Sequence, residues 1–349
     1  MSDRSGSLPM LWSRPEPDVV RLVIAVMAPT AAITGVATVL IGTGWGLWAA
    51  TVHGIAALCL ALAVPAHYLF GLSDRRRGGF DWWRTVLLLT AFVVALVSGV
   101  LRARGLRSAP AGTTWLTIHF VAGAAFMVLG AIHVVARRRA VGPIRVDRRA
   151  FLRAGAIAGV GTAGFVALEG VNTVFSLPGA DRRFSGSYEI GSFVPDDMPS
   201  VTWLNDDKPL VDPDEWELTL SGGDAAQSIP YDALRSFDDQ LTAVLDCTGG
   251  WYSEQHWTGA RLDRLLPSDA RGRSVVVRSA TGYSRRFPLG DASKMLIAHQ
   301  LGDETLSPGH GFPARLVAPG RRGFWWVKWV TEVEVSNTPW WWQLPVPPT

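Results

Sequence analysis

Leu47 to Gly71 reads LWAATVHGIAALCLALAVPAHYLFG, and Trp115 to Ala136 reads WLTIHFVAGAAFMVLGAIHVVA. A helix needs about 20 predominantly apolar residues to cross a bilayer core, and each run has them. Each run also carries two histidines at matched spacing: His53 and His67 in the first, His119 and His133 in the second, fourteen residues apart in both. On a helix that spacing leaves two side chains about 40° apart around the axis and about 21 Å apart along it. These two runs set the fold class of the first half as helical and membrane-spanning.

Three further runs lie around them. Val19 to Leu40 precedes, and Val86 to Leu101 falls between, with Trp82 and Trp83 expected at its interfacial end. Ala154 to Phe175 is weaker, rich in Gly and Ala, and carries Glu169. With a cytoplasmic N-terminus, the Arg75–Arg77 loop and the Arg137–Arg153 loop are cytoplasmic too, leaving Arg102, Arg104 and Arg107 outside. Five crossings then deliver the C-terminal half to the extracytoplasmic face of the cell membrane. Asp147 to Arg153, DRRAFLR, resembles a twin-arginine export signal. The expected organisation is a four-helix transmembrane bundle over 1–140, an export-like segment with a fifth anchoring helix over 141–184, and a polar domain over 185–349.

The second and fourth spans run in the same direction, so His53 can face His119 and His67 can face His133. Ionisable groups at membrane depth are functional candidates, and imidazole is a haem axial ligand. Gly54, Gly123 and Gly130 leave room for a porphyrin near the backbone. From Val19 to Ala136 the pattern resembles the di-haem cytochrome b family. That resemblance implies two b haems held by the four histidines and electron exchange with a membrane quinone or quinol.

The chain has 33 Lys and Arg against 30 Asp and Glu, a net charge of +3. The cations cluster at the ends of apolar runs, which argues for membrane topology and against nucleic acid. Two cysteines build neither a disulfide framework nor a zinc cluster. Cys59 sits in an apolar run as a small core residue. Cys247 is the single thiol of the polar half.

That half alternates in short runs. Glu215 to Leu220, Ser274 to Arg278 and Trp326 to Val335 are predicted strands, and Asp232 to Phe237 and Leu262 to Leu266 short helices, giving an α+β domain. Three segments carry further information: LDCTGGW at Leu245 to Trp251 with WTGARL at Trp257 to Leu262, GHGFPARLVAPG at Gly309 to Gly320, and GFWWVKWV at Gly323 to Val330. In this order they resemble the molybdopterin-binding domain of the sulfite-oxidase family, over roughly Ser200 to Val335.

The resemblance implies Mo-molybdopterin, with Cys247 as the soft thiolate that molybdenum needs from the protein. It places His310 and Arg315 at the pterin and its phosphate, has Trp326, Val327 and Lys328 close over the cofactor, and matches Asn205 to a cofactor contact. Ser279 to Tyr283 is expected to add one more. Asp246 reads as structural. Two departures matter. Tyr252, Ser253 and Glu254 stand where sulfite oxidases carry an arginine after the metal cysteine, and no further dimerisation domain fits before Thr349. The pattern is therefore closer to the periplasmic methionine-sulfoxide reductase catalytic subunit, here joined to its haem partner in one chain.

Tyr252, His256, Arg285 and Arg286 are candidates for the substrate pocket, and Trp340 to Trp342 for packing or a membrane interface. The expected function is quinol-driven oxygen-atom transfer from a small S- or N-oxide. The alternatives are a quinone-reducing dehydrogenase acting on sulfite or another small substrate, and a non-enzymatic membrane cytochrome with a binding domain.

Overall fold

The computed structural model describes residues 17–74, 82–137, 144–202 and 207–347. Asn205 and much of the arginine loops lie outside the described residues. The chain forms two compact units, one dominated by long helices and the other by strands.

In the first unit, five helices are long and apolar enough to cross a membrane. They are α1 (Pro17–Leu40), α2 (Gly46–Asp74), α3 (Trp82–Ala103), α4 (Trp115–Arg137) and α5 (Arg148–Val174). Large apolar side chains such as Ile33, Val121 and Val166 point outward, as expected for helices facing lipid. Two boundaries differ from expectation. Helix α3 begins at Trp82 rather than Val86, with Trp82 and Trp83 in its first turn, at the expected end of the span. The twin arginines Arg148 and Arg149 open α5, because the Asp147 carboxylate caps it by accepting from the Ala150 amide at 2.6 Å.

Leu60 and Val64 of α2 pack with Phe92 of α3, while Cys59 packs with Val20 and Val23 of α1. The end of α3 is tied to α5: Arg104 donates to the Asn172 side chain at 2.8 Å, and Asn172 donates to the Ala103 carbonyl at 3.2 Å. Arg102 is itself buried. Arg102 and Arg104 are thus both packed within this unit.

The second unit contains β1 (Tyr188–Glu189), β2 (Glu217–Ser221), β3 (Gln227–Pro230), α6 (Tyr231–Arg235), β4 (Asp239–Asp246), β5 (Trp251–Arg261), α7 (Leu262–Leu265), β6 (Ser274–Ser279), β7 (Ser284–Pro288), β8 (Leu296–Leu301), β9 (Glu304–Thr305), β10 (Arg315–Val317) and β11 (Val330–Ser336). One sheet centres on β5, which pairs antiparallel with β4 and β8 and parallel with β1. The other has the order β3-β2-β11-β6-β7. Alternation in β2 buries Leu218 and Leu220, and these join Val275, Val277, Val333, Trp257, Ile297 and Leu316 in one core.

The expected strand from Trp326 is corrected: β11 begins only at Val330. Gly323–Trp325 is a 3-10 turn and Trp329 has φ +52°, so the aromatic alternation of this stretch follows a loop.

The tail is held against β7. Gln343 exchanges hydrogen bonds with the Arg286 backbone, at 3.1 Å as acceptor and 2.7 Å as donor. Trp341 and Trp342 remain exposed.

Candidate functional site

The β4–β5 hairpin places Cys247. Its amide donates to the Trp251 carbonyl at 2.8 Å and its carbonyl accepts from Gly250 at 3.0 Å, closing a tight turn. Gly250 sits at φ +87°, a conformation that favours glycine. The Gly249 amide donates to Cys247 Sγ at 3.3 Å. Burial pushes the thiol pKa up, opposed by that amide and by the Arg322 guanidinium.

Cys247 opens into a cleft of about 290 Å³ that also takes in His310, Arg315, Trp326 and Lys328. Five of the expected site residues thus converge from β4, β10 and the loops around them. Val327 does not line the cleft: it is fully buried in the core, and its carbonyl accepts from the Leu316 amide at 2.7 Å. Of Ser279 to Tyr283, Tyr283 lines the cleft, its hydroxyl donating to the Phe324 carbonyl. Met198, Pro199, Val201 and Thr202 complete one wall. No motif in the sequence marks that loop.

Arg315 is 1 % exposed, and its Nη1 donates to the His310 carbonyl at 2.9 Å. Its Nε has no hydrogen-bond partner, and no carboxylate among the described residues pairs with it. Instead it lies over the Trp257 ring, 4.9 Å from the centroid. Burial lowers its pKa to about 9. A buried guanidinium with an orphaned nitrogen suits an anionic group such as a phosphate. Lys328 spans the cleft, donating to the carbonyls of Gly309 at 2.5 Å and Val201 at 3.0 Å. His310 has both ring nitrogens engaged, with Ser307 Oγ at 3.1 Å and the Met198 carbonyl at 3.0 Å. Its burial holds the imidazole pKa below the ordinary value. His310 thus stands in the cleft wall beside Arg315, fixed by these two partners.

The four substrate-pocket candidates lie elsewhere. His256 bonds Thr242 at 2.9 Å on the exposed side of the hairpin, and the Tyr252 ring lies beneath the Arg183 guanidinium. Arg285 is buried over Trp325 and donates to the Leu344 carbonyl at 3.2 Å. Arg286 donates to Ser336 Oγ at 3.1 Å. Two more arginines that could have built an anion site are also committed. Arg321 pairs with Asp291 at 3.2 Å, and Arg322 pairs with Asp246 at 2.5 Å.

In the helical unit, His53 and His119 meet with ring centroids 5.7 Å apart and planes nearly perpendicular. Each Nδ1 donates to a backbone carbonyl at 2.8 Å, His53 to Ala31 of α1 and His119 to Ala95 of α3. The α1–α2 and α3–α4 hairpins repeat the same device down to the glycine one turn further on. A Cβ at Gly35 would come within 3.1 Å of the His53 ring, and one at Gly99 within 3.0 Å of the His119 ring. A carbonyl on Nδ1 leaves Nε2 as the free lone pair, the arrangement that orients a metal-binding histidine. His67 and His133 are half-buried on the same two helices.

Residues 205–342 match the family of the oxidoreductase molybdopterin binding domain. The mitochondrial sulfite oxidase of Drosophila melanogaster is 26% identical over 163 residues, covering 37% of this chain and 28% of that protein. That of Rattus norvegicus is 29% identical over 166 residues, covering 37% and 30%. The NADPH nitrate reductase of Mycosarcoma maydis is 40% identical over 82 residues, covering 22% and 8%. The chain thus spans less than a third of the length of the sulfite oxidases it matches. Its C-terminal unit carries a molybdopterin-binding oxidoreductase domain, which removes the ground for a purely non-enzymatic cytochrome.

Proposed function

We propose that this chain is a membrane-bound oxidoreductase in which a quinol delivers electrons through two histidine-held b haems to a molybdenum centre at Cys247. Its substrate is a neutral S- or N-oxide, and the catalytic domain lies on the extracytoplasmic side. A molybdenum centre supplies two-electron oxygen-atom transfer. The chain's own part is to hold and shape. Cys247 offers the thiolate, Arg315 the buried cation for a phosphate, and Lys328 a clamp across the cleft.

One observation carries the choice of substrate. Arg285, Arg286, Arg321 and Arg322 are held by protein partners and do not line the cleft, so Arg315 and Lys328 are the arginine and lysine among its lining residues. With these two engaged by cofactor and backbone, none is left over for a small dianion such as sulfite. Trp251, Tyr283, Phe324 and Trp329 give the remaining walls an aromatic character suited to an uncharged, bulkier molecule. Steady-state assays decide this. Turnover is expected with a quinol analogue plus methionine sulfoxide, whereas rapid sulfite oxidation without S-oxide reduction would reverse the direction.

The role of Arg315 has its own test. Arg315→Met removes a charge-assisted hydrogen bond worth about 1.5–3 kcal/mol, so cofactor affinity should fall roughly 10- to 150-fold. Molybdenum content of the purified variant reports it. Native content would take Arg315 out of the anchoring role.

A further inference from the structure

Behind Cys247 lies a charged cluster that the chemistry above leaves unused. Asp246 ends β4 at 2 % exposure. Its Oδ1 accepts from Ser187 Oγ at 2.7 Å and from Arg322 Nη1 at 2.5 Å, and Arg183 Nε lies 3.4 Å from Oδ2. Arg322 is also buried, and its Nη2 donates to the Cys247 carbonyl at 3.2 Å. The next residue, Gly323, packs so closely that a Cβ there would sit 3.1 Å from Cys247 Cα.

A buried ion pair is poor value as a stabiliser, because desolvation offsets most of the attraction and apolar packing often does better. Its place here suggests another task. Arg322 grips both the residue before the thiol and the carbonyl of the thiol residue itself. Two guanidinium groups against one carboxylate also leave the cluster one unit positive beside Cys247.

We propose that Asp246 and Arg322 are positioning residues that fix the Cys247 turn and, through their opposite charges, set the redox poise of a metal held by the Cys247 thiolate. This rests on Cys247 being the metal ligand. A positive charge near the metal favours its reduced form and a negative charge its oxidised form. Asp246→Asn keeps the shape and removes the negative charge, so the ratio of reduced to oxidised metal should rise at fixed potential. Arg322→Gln removes a positive charge, so the ratio should fall. A purely structural pair would loosen the same turn in both variants and move the ratio one way.

The test is a redox titration of full-length, molybdenum-loaded protein, followed by the paramagnetic resonance of molybdenum. Shifts of opposite sign are expected, each at least tenfold in the ratio, or 59 mV for a one-electron couple. The double variant Asp246→Asn/Arg322→Gln restores the cluster's charge and should restore the native midpoint, which keeps the test decisive if a single variant fails to fold. Shifts in the same direction, unmoved midpoints in the single variants, or a double variant that departs from the native midpoint would each overturn the proposal. Cys247→Ser is measured alongside. A native molybdenum signal there would fell the ligand assignment itself, whereas its loss beside unmoved midpoints would fell the charge proposal alone.

Discussion

Cys247→Ser should abolish turnover and leave the fold intact. The thiol is half-buried at the turn between β4 and β5, and its backbone bonds to Trp251 and Gly250 are made by groups that serine also has. The core of this unit draws on both sheets and touches Cys247 only at its edge. What changes is the donor. A serine oxygen is harder than a thiolate and matches a soft-ligand site poorly. Supporting residues around metal ligands typically cost 10–100-fold in activity when replaced, so a direct ligand should cost more than about 100-fold. Circular dichroism and thermal melting check the fold, and a steady-state assay checks the activity. Wild-type turnover would remove Cys247 from the metal.

On the proposed two-haem assignment, His119→Ala should reduce haem from two per chain to one, and His53→Ala should do the same. The pair stands 5.7 Å apart between ring centroids, and metal–nitrogen bonds of about 2 Å allow both imidazoles to reach one atom. The carbonyls of Ala31 and Ala95 hold both rings in the tautomer that leaves Nε2 for a metal. His67→Ala or His133→Ala should remove the other haem by the same logic of matched spacing. Pyridine haemochrome analysis of detergent-purified protein counts them. Full haem content in all four single variants would refute the assignment.

The sequence announced the helices because hydropathy over 20 residues is a local property, and it announced the His53–His119 meeting because equal spacing on parallel helices is geometry. It could not announce the carbonyl partners of the two imidazoles, since a backbone acceptor leaves no mark in residue identity. Cys247, His310, Arg315 and Lys328 were legible as a set through ordered motifs. The Asp246–Arg322 pair was not: its members are 76 residues apart and meet only when β4 runs beside the Arg322 turn. The stretch Trp326 to Trp329 was misread because alternating aromatics imitate a strand. There the left-handed backbone at Trp329 overrides the pattern. The four substrate-pocket candidates failed for a different reason. Nearness to Cys247 in sequence put Tyr252 and His256 on the hairpin, but the hairpin carries them away from the cleft.

The repeated device in the helical unit has a consequence for assembly. Each hairpin brings one imidazole and one carbonyl to the meeting point, so neither owns a complete site. A ligand bound there would act as a clasp between two halves whose apolar contacts must compete with lipid tails of the same character. By mass action, each tenfold rise of free ligand above its dissociation constant adds about 1.4 kcal/mol to the clasped state. On the proposed haem assignment, the supply of haem would then set how firmly the two hairpins are joined.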